Sequence, residues 1–120
     1  MATVSSTLVP TTTLITNKVK WTPLTTTNAD GAAVDLNDYR DRSVQVLGTF
    51  GTGGSVTLQG SNDGGTTWAT LTDQGGNNLT FTAAGIKHVQ QLTEYIRPLV
   101  TAGDGTTSLT VYVFFRGREQ

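Results

Sequence analysis

The chain has no cysteine, one histidine, one methionine and three prolines in 120 residues, and only 14% of it is charged. Without cysteine there are neither disulfide staples nor thiolate metal ligands, so robustness has to come from packing or association. Eight basic residues against nine acidic ones leave a formal net charge of -1. That is no basic field to gather phosphates, and nucleic-acid binding is not expected. No apolar run approaches the ~20 residues of a membrane-spanning helix. Residues 1–7 (MATVSST) carry neither the basic nor the apolar region of an export signal, so a soluble protein with no membrane association is expected.

What is abundant is threonine, about a fifth of the chain, together with 14 glycines. Threonine's β-branch favours extended backbone, and its hydroxyl supplies the solubility that charge does not. Short apolar–polar alternations separated by glycine-bearing turns predict a single all-β domain of the sandwich or barrel type. Residues 2–16 hold Val4, Leu8, Val9, Leu14 and Ile15 without a sustained period and are interrupted by Pro10. They read as an N-terminal arm with a possible edge strand. The arm is assigned to residues 1–18 and the domain to 19–120. Residues 18–21 read as a strand, 22–28 as an extended polar connector and 28–31 as a turn. Residues 35–42 (DLNDYRDR) read as a solvated loop or short helical turn with local ion pairs. Residues 43–50 and 55–60, joined by the turn at 51–54, are expected to form a three-stranded meander with the strand that contains Trp68. Residues 73–78 read as a turn, 79–82 and 86–89 as short strands, and Pro98 suggests an edge or a bulge in the strand at 94–100.

The last strand carries the strongest pattern. In residues 108–115 (SLTVYVFF), Leu109, Val111, Val113 and Phe115 face one way while Tyr112 and Phe114 face the other. A strand apolar on both faces is central, or meets a partner subunit with its second face. Tyr112 and Phe114 are therefore the candidate oligomer interface.

The most informative local motif is residues 61–68 (SNDGGTTW), which fits S-x-D-x-G-x-T-W. The turn needs positive φ at Gly64 and Gly65. Asp63 accepts hydrogen bonds from amides that the turn leaves unpaired, the hydroxyls of Ser61 and Thr67 close the network, and Trp68 covers it. This pattern resembles the Asp-box hairpin of sialidases and related β-proteins, where the box is structural. Ser61, Asp63, Gly65, Thr67 and Trp68 are accordingly assigned to a structural hairpin rather than to catalysis.

Constellations that would carry chemistry are sparse. His88 stands alone, with no nucleophile-elbow motif to mark a catalytic triad. Asp73 and Asp104 sit in glycine-bearing turns, where aspartate serves local hydrogen bonding. No D-x-D-x-D-G spacing marks a calcium loop. No enzyme activity, no cofactor and no metal are expected. Residues 59–68 followed by 94–98 (EYIRP) are similar to two strand motifs of discoidin-type binding modules. That likeness keeps open a carbohydrate-binding or host-surface-binding module, with Trp21, Tyr39 and Tyr95 as candidate stacking platforms.

A resemblance covering residues 19–116 is carried by an ordered set of segments. These are 20–24 (KWTPL), 41–46 (DRSVQV), 48–51 (GTFG), 56–64 (VTLQGSNDG), 95–98 (YIRP) and 103–111 (GDGTTSLTV). In that succession the chain resembles the capsid decoration, or cement, proteins of tailed bacteriophages. The resemblance implies a β-sandwich or jelly-roll protomer that forms a dimer or trimer on the outside of the shell. Its expected partner is the major capsid protein and its expected place the outer capsid surface of the virion, after synthesis in the host cytoplasm. The arm either adds a strand to a sister subunit or to the capsid on binding, or is a frayed terminus.

Overall fold

The computed structural model describes residues 3–9, 16–35 and 39–117. These form ten strands: β1 (Ser6–Val9), β2 (Thr16–Leu24), β3 (Val34–Asp35), β4 (Tyr39–Thr49), β5 (Ser55–Ser61), β6 (Ala69–Thr70), β7 (Thr80–Phe81), β8 (Gly85–His88), β9 (Tyr95–Ala102) and β10 (Ser108–Gly117). They build two antiparallel sheets packed face to face, one ordered β1-β2-β10-β4-β8 and the other β3-β9-β5-β6 with β7 also on β5. The domain is an all-β sandwich. Its pairings nest: β2 with β10, β3 with β9, β4 with β8, and β5 with β6 and β7.

The alternation in β10 places it. Leu109, Val111, Val113 and Phe115 are all buried, at 0–2% exposure, while Phe114 is 42% exposed. β10 is hydrogen-bonded to β2 on one side and to β4 on the other. Opposite its inward side chains lie Val19 and Trp21 of β2 and Val44 and Val46 of β4, facing Val56, Leu58, Ile96 and Val100 of the second sheet. Each such side chain removed from water contributes roughly 1.5–3 kcal/mol before ordering entropy is charged against it. A register shift between Leu109 and Val111 sets three residues of β2 against two of β10. That bulge lets both Trp21 and Leu24 point inward although they are three residues apart.

Three expectations are corrected. β4 and β5 do not form a meander, because they belong to opposite sheets. Val44 and Val46 reach the core from one layer, Val56 and Leu58 from the other, and residues 51–54 carry the chain between them. The expected turn at 28–31 lies earlier: Thr25 N donates to Asn28 O at 3.0 Å, while Ala29 and Gly31 run beside β9 through Val100 N–Ala29 O (2.8 Å) and Gly31 N–Pro98 O (2.9 Å). Residues 39–42 are not a loop but the start of β4, and Arg42 is buried at 2% exposure; residues 36–38 lie outside the described residues.

Pro98 is tolerated inside β9 because its nitrogen faces Gly31, where only an isolated bridge continues the sheet. In the N-terminal segment, β1 pairs with β2 in register Ser6–Trp21 to Val9–Lys18, and Val4 exchanges backbone bonds with Asp30 and Ala32. The expected strand of the arm is thus paired within its own chain; residues 10–15 lie outside the described residues.

Gly31 is required by packing. A Cβ there would stand 2.6 Å from Pro98 Cδ and 2.7 Å from Trp21 Cδ1. Gly31→Ala is expected to lower unfolding stability by about 1–3 kcal/mol in a urea titration, and an unchanged midpoint would contradict the close approach of Trp21 and Pro98.

Candidate docking face

Two surfaces emerge from the residues singled out by sequence, and they lie on different layers. The Asp63 hairpin joins β5 to β6, whose register is Gln59–Thr70 and Gly60–Ala69. Gly64 and Gly65 have φ of 79° and 89°. Asp63 Oδ1 accepts from Thr67 N at 2.9 Å, Thr66 N at 3.1 Å and the Ser61 hydroxyl at 2.7 Å, and Ser61 Oγ in turn accepts from Gly65 N at 3.1 Å. The bonds from the Thr67 amide and the Ser61 and Thr67 hydroxyls hold the carboxyl well below its usual range, down to about 2. Trp68 is half-buried, with the Arg97 guanidinium stacked 4.3 Å from the centre of its ring. Arg97 also donates to Gln59 Oε1 at 3.0 Å and lies 3.9 Å from Asp30. The motif's side chains are spent on the turn, and Trp68 is covered on one face.

Asp104 and Asp73 repeat the device. Asp104 accepts from the Thr106 hydroxyl at 2.6 Å and from Thr106 N and Thr52 N, both at 2.9 Å, tying the β9–β10 loop to residues 51–54. Asp73 accepts from Gly75 N at 2.8 Å and Asn77 N at 3.0 Å. Hydrogen bonds from Thr106 and Thr52 hold the Asp104 carboxyl below its usual range, and those from Asn77 and Gly75 do the same for Asp73.

The second surface is the outer face of the β1-β2-β10-β4-β8 sheet, where the structure places Tyr112 and Phe114. Cross-strand register sets Lys20, Tyr112, Gln45 and Ile86 in one row and Lys18, Phe114, Ser43 and His88 in the next. Leu47 continues the face beside Thr110. Ile86 is 64% exposed and Leu47 38%. Between the rows runs an open groove of about 230 Å³. The Lys18 ammonium stands 5.8 Å from the centre of the Tyr112 ring, in cation–π range.

The remaining candidates fall outside both surfaces. Trp21 is fully buried and its Nε1 donates to Ala32 O at 3.0 Å, so it is a core residue and no stacking platform. Tyr95 is half-buried on β9, and the Tyr39 side chain lies outside what is described. His88 is half-buried on β8, and its Nδ1 has no partner among the described residues.

Arg42 is the residue that sequence reasoning missed. Its Nη2 donates to Thr93 O at 2.8 Å, Nη1 to the Thr93 hydroxyl at 3.3 Å, and Nε has no partner among the described residues. Burial lowers its pKa to about 10. Only the alternation continuing back from Val46 and Val44 to residue 42 could have marked it as inward-facing.

Comparison with protein-family models, with curated proteins and with solved structures finds no match to this chain.

Because the folded Asp63 pKa lies below the unfolded value of 3.8, its contribution to stability is complete above the unfolded value and is lost as the pH falls through the folded one. Asp73 and Asp104 act in the same sense. The thermal midpoint is therefore expected to drop between about pH 4 and pH 2, with a shallower drop in Asp63→Asn; equal acid slopes in the two proteins would contradict this role. For the buried cation, Thr93→Val is expected to cost about 1–3 kcal/mol, whereas Arg42→Met is expected to be neutral or stabilising by about 1–4 kcal/mol. Denaturant titration of both variants checks the contrast.

Proposed function

We propose that this chain is a non-enzymatic structural protein of a tailed-phage virion, which seats on the outer surface of the expanded capsid and ties neighbouring capsomers together. The observation that carries the reading is the open sheet face on which Phe114, Ile86 and Leu47 are exposed at 42%, 64% and 38%, beside Tyr112. Large apolar side chains grouped on the outside of a sheet, with a complete core behind them, are surface made to be covered. The nested strand pairing supports reading the protomer as jelly-roll-like, as the resemblance to decoration proteins implies.

The physics of cementing suits such a module. A ligand that binds the expanded shell and not its precursor stabilises the expanded state by mass action, and many copies add their contributions. Each copy then needs only a moderate interface and rigid geometry. Pinned turns and short edge strands supply rigidity, and the major capsid protein supplies the other surface. The pairing of β1 with β2 leaves the sheet face, more than the N-terminal segment, as the means of attachment. Dimer or trimer formation through the same face competes with that assignment and separates from it by experiment.

The test is cosedimentation of the purified protein with expanded shells lacking it, with unexpanded procapsids and a glycan resin as controls. Saturable binding to expanded shells alone is expected. Absence of shell binding together with retention on the glycan resin would move the chain to carbohydrate recognition.

A further inference from the structure

We infer that the outer face of the β1-β2-β10-β4-β8 sheet is built to meet an acidic, apolar protein surface rather than a second copy of this chain. The inference deepens the capsid-docking reading and rests on it for the identity of the partner, which would be a carboxylate-bearing surface of the shell. Its basis is the charge left over on the face. β2 contributes a column of cations, Lys18 and Lys20, and β10 contributes the adjacent column of aromatics, Phe114 and Tyr112. Neither lysine has a carboxylate partner among the described residues, whose ion pairs are Arg97–Asp30 and Arg116–Asp41.

The carboxylates of the described residues are already engaged. Asp63, Asp73 and Asp104 hold turn amides, and Glu94 accepts from Gly64 N at 3.1 Å. Asp30 faces Arg97 and Asp35 lies on β3, both with the other sheet. Asp41 lies on the face itself, in the row beyond Ser43, and its Oδ2 already accepts from Arg116 of the same face at 2.6 Å. From its described residues, a second copy laid face to face would bring two more lysines and one carboxylate, Asp41, already paired with Arg116. Burying Lys18 and Lys20 beside Tyr112 and Phe114 removes water from two ammonium groups, which is favourable only if the partner supplies anions to pair with them. The face offers a moderate contact: three strands about 30 Å long (β2, β10 and β4) flanked by two of about 13 Å (β1 and β8), spaced ~4.8 Å apart, cover roughly 550 Å², about two-thirds of the ~800 Å² per partner of a standard interface.

The partner's expected chemistry follows. Carboxylates flank the lysine column, and an apolar knob or ridge enters the groove between Tyr112, Phe114 and Ile86. Binding is steered by charge, so it weakens with salt.

The full-length chain, Lys18→Glu/Lys20→Glu and Phe114→Ser are compared, after unfolding curves show that each is folded. Each protein is titrated against expanded shells at about 50 and about 300 mM salt, and sedimented alone. The isotope-labelled proteins are also titrated by amide NMR with a glutamate–leucine peptide and its lysine–leucine counterpart. The expected result is at least about a tenfold loss of shell affinity on charge reversal, with a similar loss at the higher salt. The glutamate peptide, and not the lysine peptide, is expected to shift β2, β10 and β4 amides, with the preference inverted in Lys18→Glu/Lys20→Glu. Shell binding unchanged by charge reversal would overturn the inference while leaving the capsid-docking reading in place. An oligomer that dissociates in Phe114→Ser, with shell binding intact, would assign the face to a second copy and overturn it as well. Duplex DNA shifting the same amides more than the glutamate peptide would overturn the assignment to a protein partner. Peptide recognition with no shell binding would support the inference and sink the capsid reading.

Discussion

The hydrogen bonding of β10 on both of its edges is the constraint from which the rest of the structure follows. With β2 on one side and β4 on the other, this strand can present its two faces only to the interior and to the outside. Leu109, Val111, Val113 and Phe115 fill the first, and Tyr112 and Phe114 are carried to the second. Its neighbours inherit the same division, with Val19 and Trp21 inward and Lys18 and Lys20 outward on β2, and Val44 and Val46 inward on β4. The apolar outer face is therefore a consequence of the strand that anchors the core. Its composition can change without changing the fold, which is the freedom a binding surface needs.

Low charge is compensated by a dense local polar chemistry. Hydroxyl pairs join neighbouring strands and segments where other proteins use ion pairs: Thr22 with Thr110 at 2.8 Å, Thr57 with Thr80 at 2.9 Å and Ser55 with Thr101 at 2.7 Å. Three turns are fastened by single aspartates that accept several backbone amides each. The outermost strands are short, four residues in β1 and β8 and two in β3 and β6, which limits unintended pairing along the sheet edges. The result is a stiff module whose open edges are brief and whose broad outer sheet face is apolar and cationic.

How much of this was legible in the sequence depended on the range of the interaction. The Asp63 hairpin was, because the bonds made by Asp63 and Ser61 lie within residues 61–68, and so was the two-faced pattern of β10, because alternation along one strand is local. The partner of β5 was not. Alternating apolar residues at 43–50 and 55–60 look the same whether the segments pair as a hairpin or cross between layers, and only packing against the opposite sheet distinguishes the two. Arg42 was read as solvated because its partner, Thr93, is 51 residues away. The turn expected at 28–31 moved because Ala29 and Gly31 find hydrogen bonds on β9, about 70 residues later in the chain. The outer sheet face was legible in its aromatics but not in its cations, since nothing local aligns Lys18 and Lys20 with Phe114 and Tyr112.

A sandwich that buries its core with one side of β10 and presents an aromatic and basic surface with the other is suited to holding a larger assembly from outside. The three lysines of the chain offer a direct measurement of that claim. Lys18 and Lys20 lie on the outer face of the sheet, whereas Lys87 stands over Phe81, its Nζ 5.4 Å from the ring centre. Acylation of free and shell-bound protein, read by mass spectrometry, is predicted to find Lys18 and Lys20 protected on the shell while Lys87 keeps its reactivity. Protection of Lys87 with Lys18 and Lys20 still fully reactive would contradict the account.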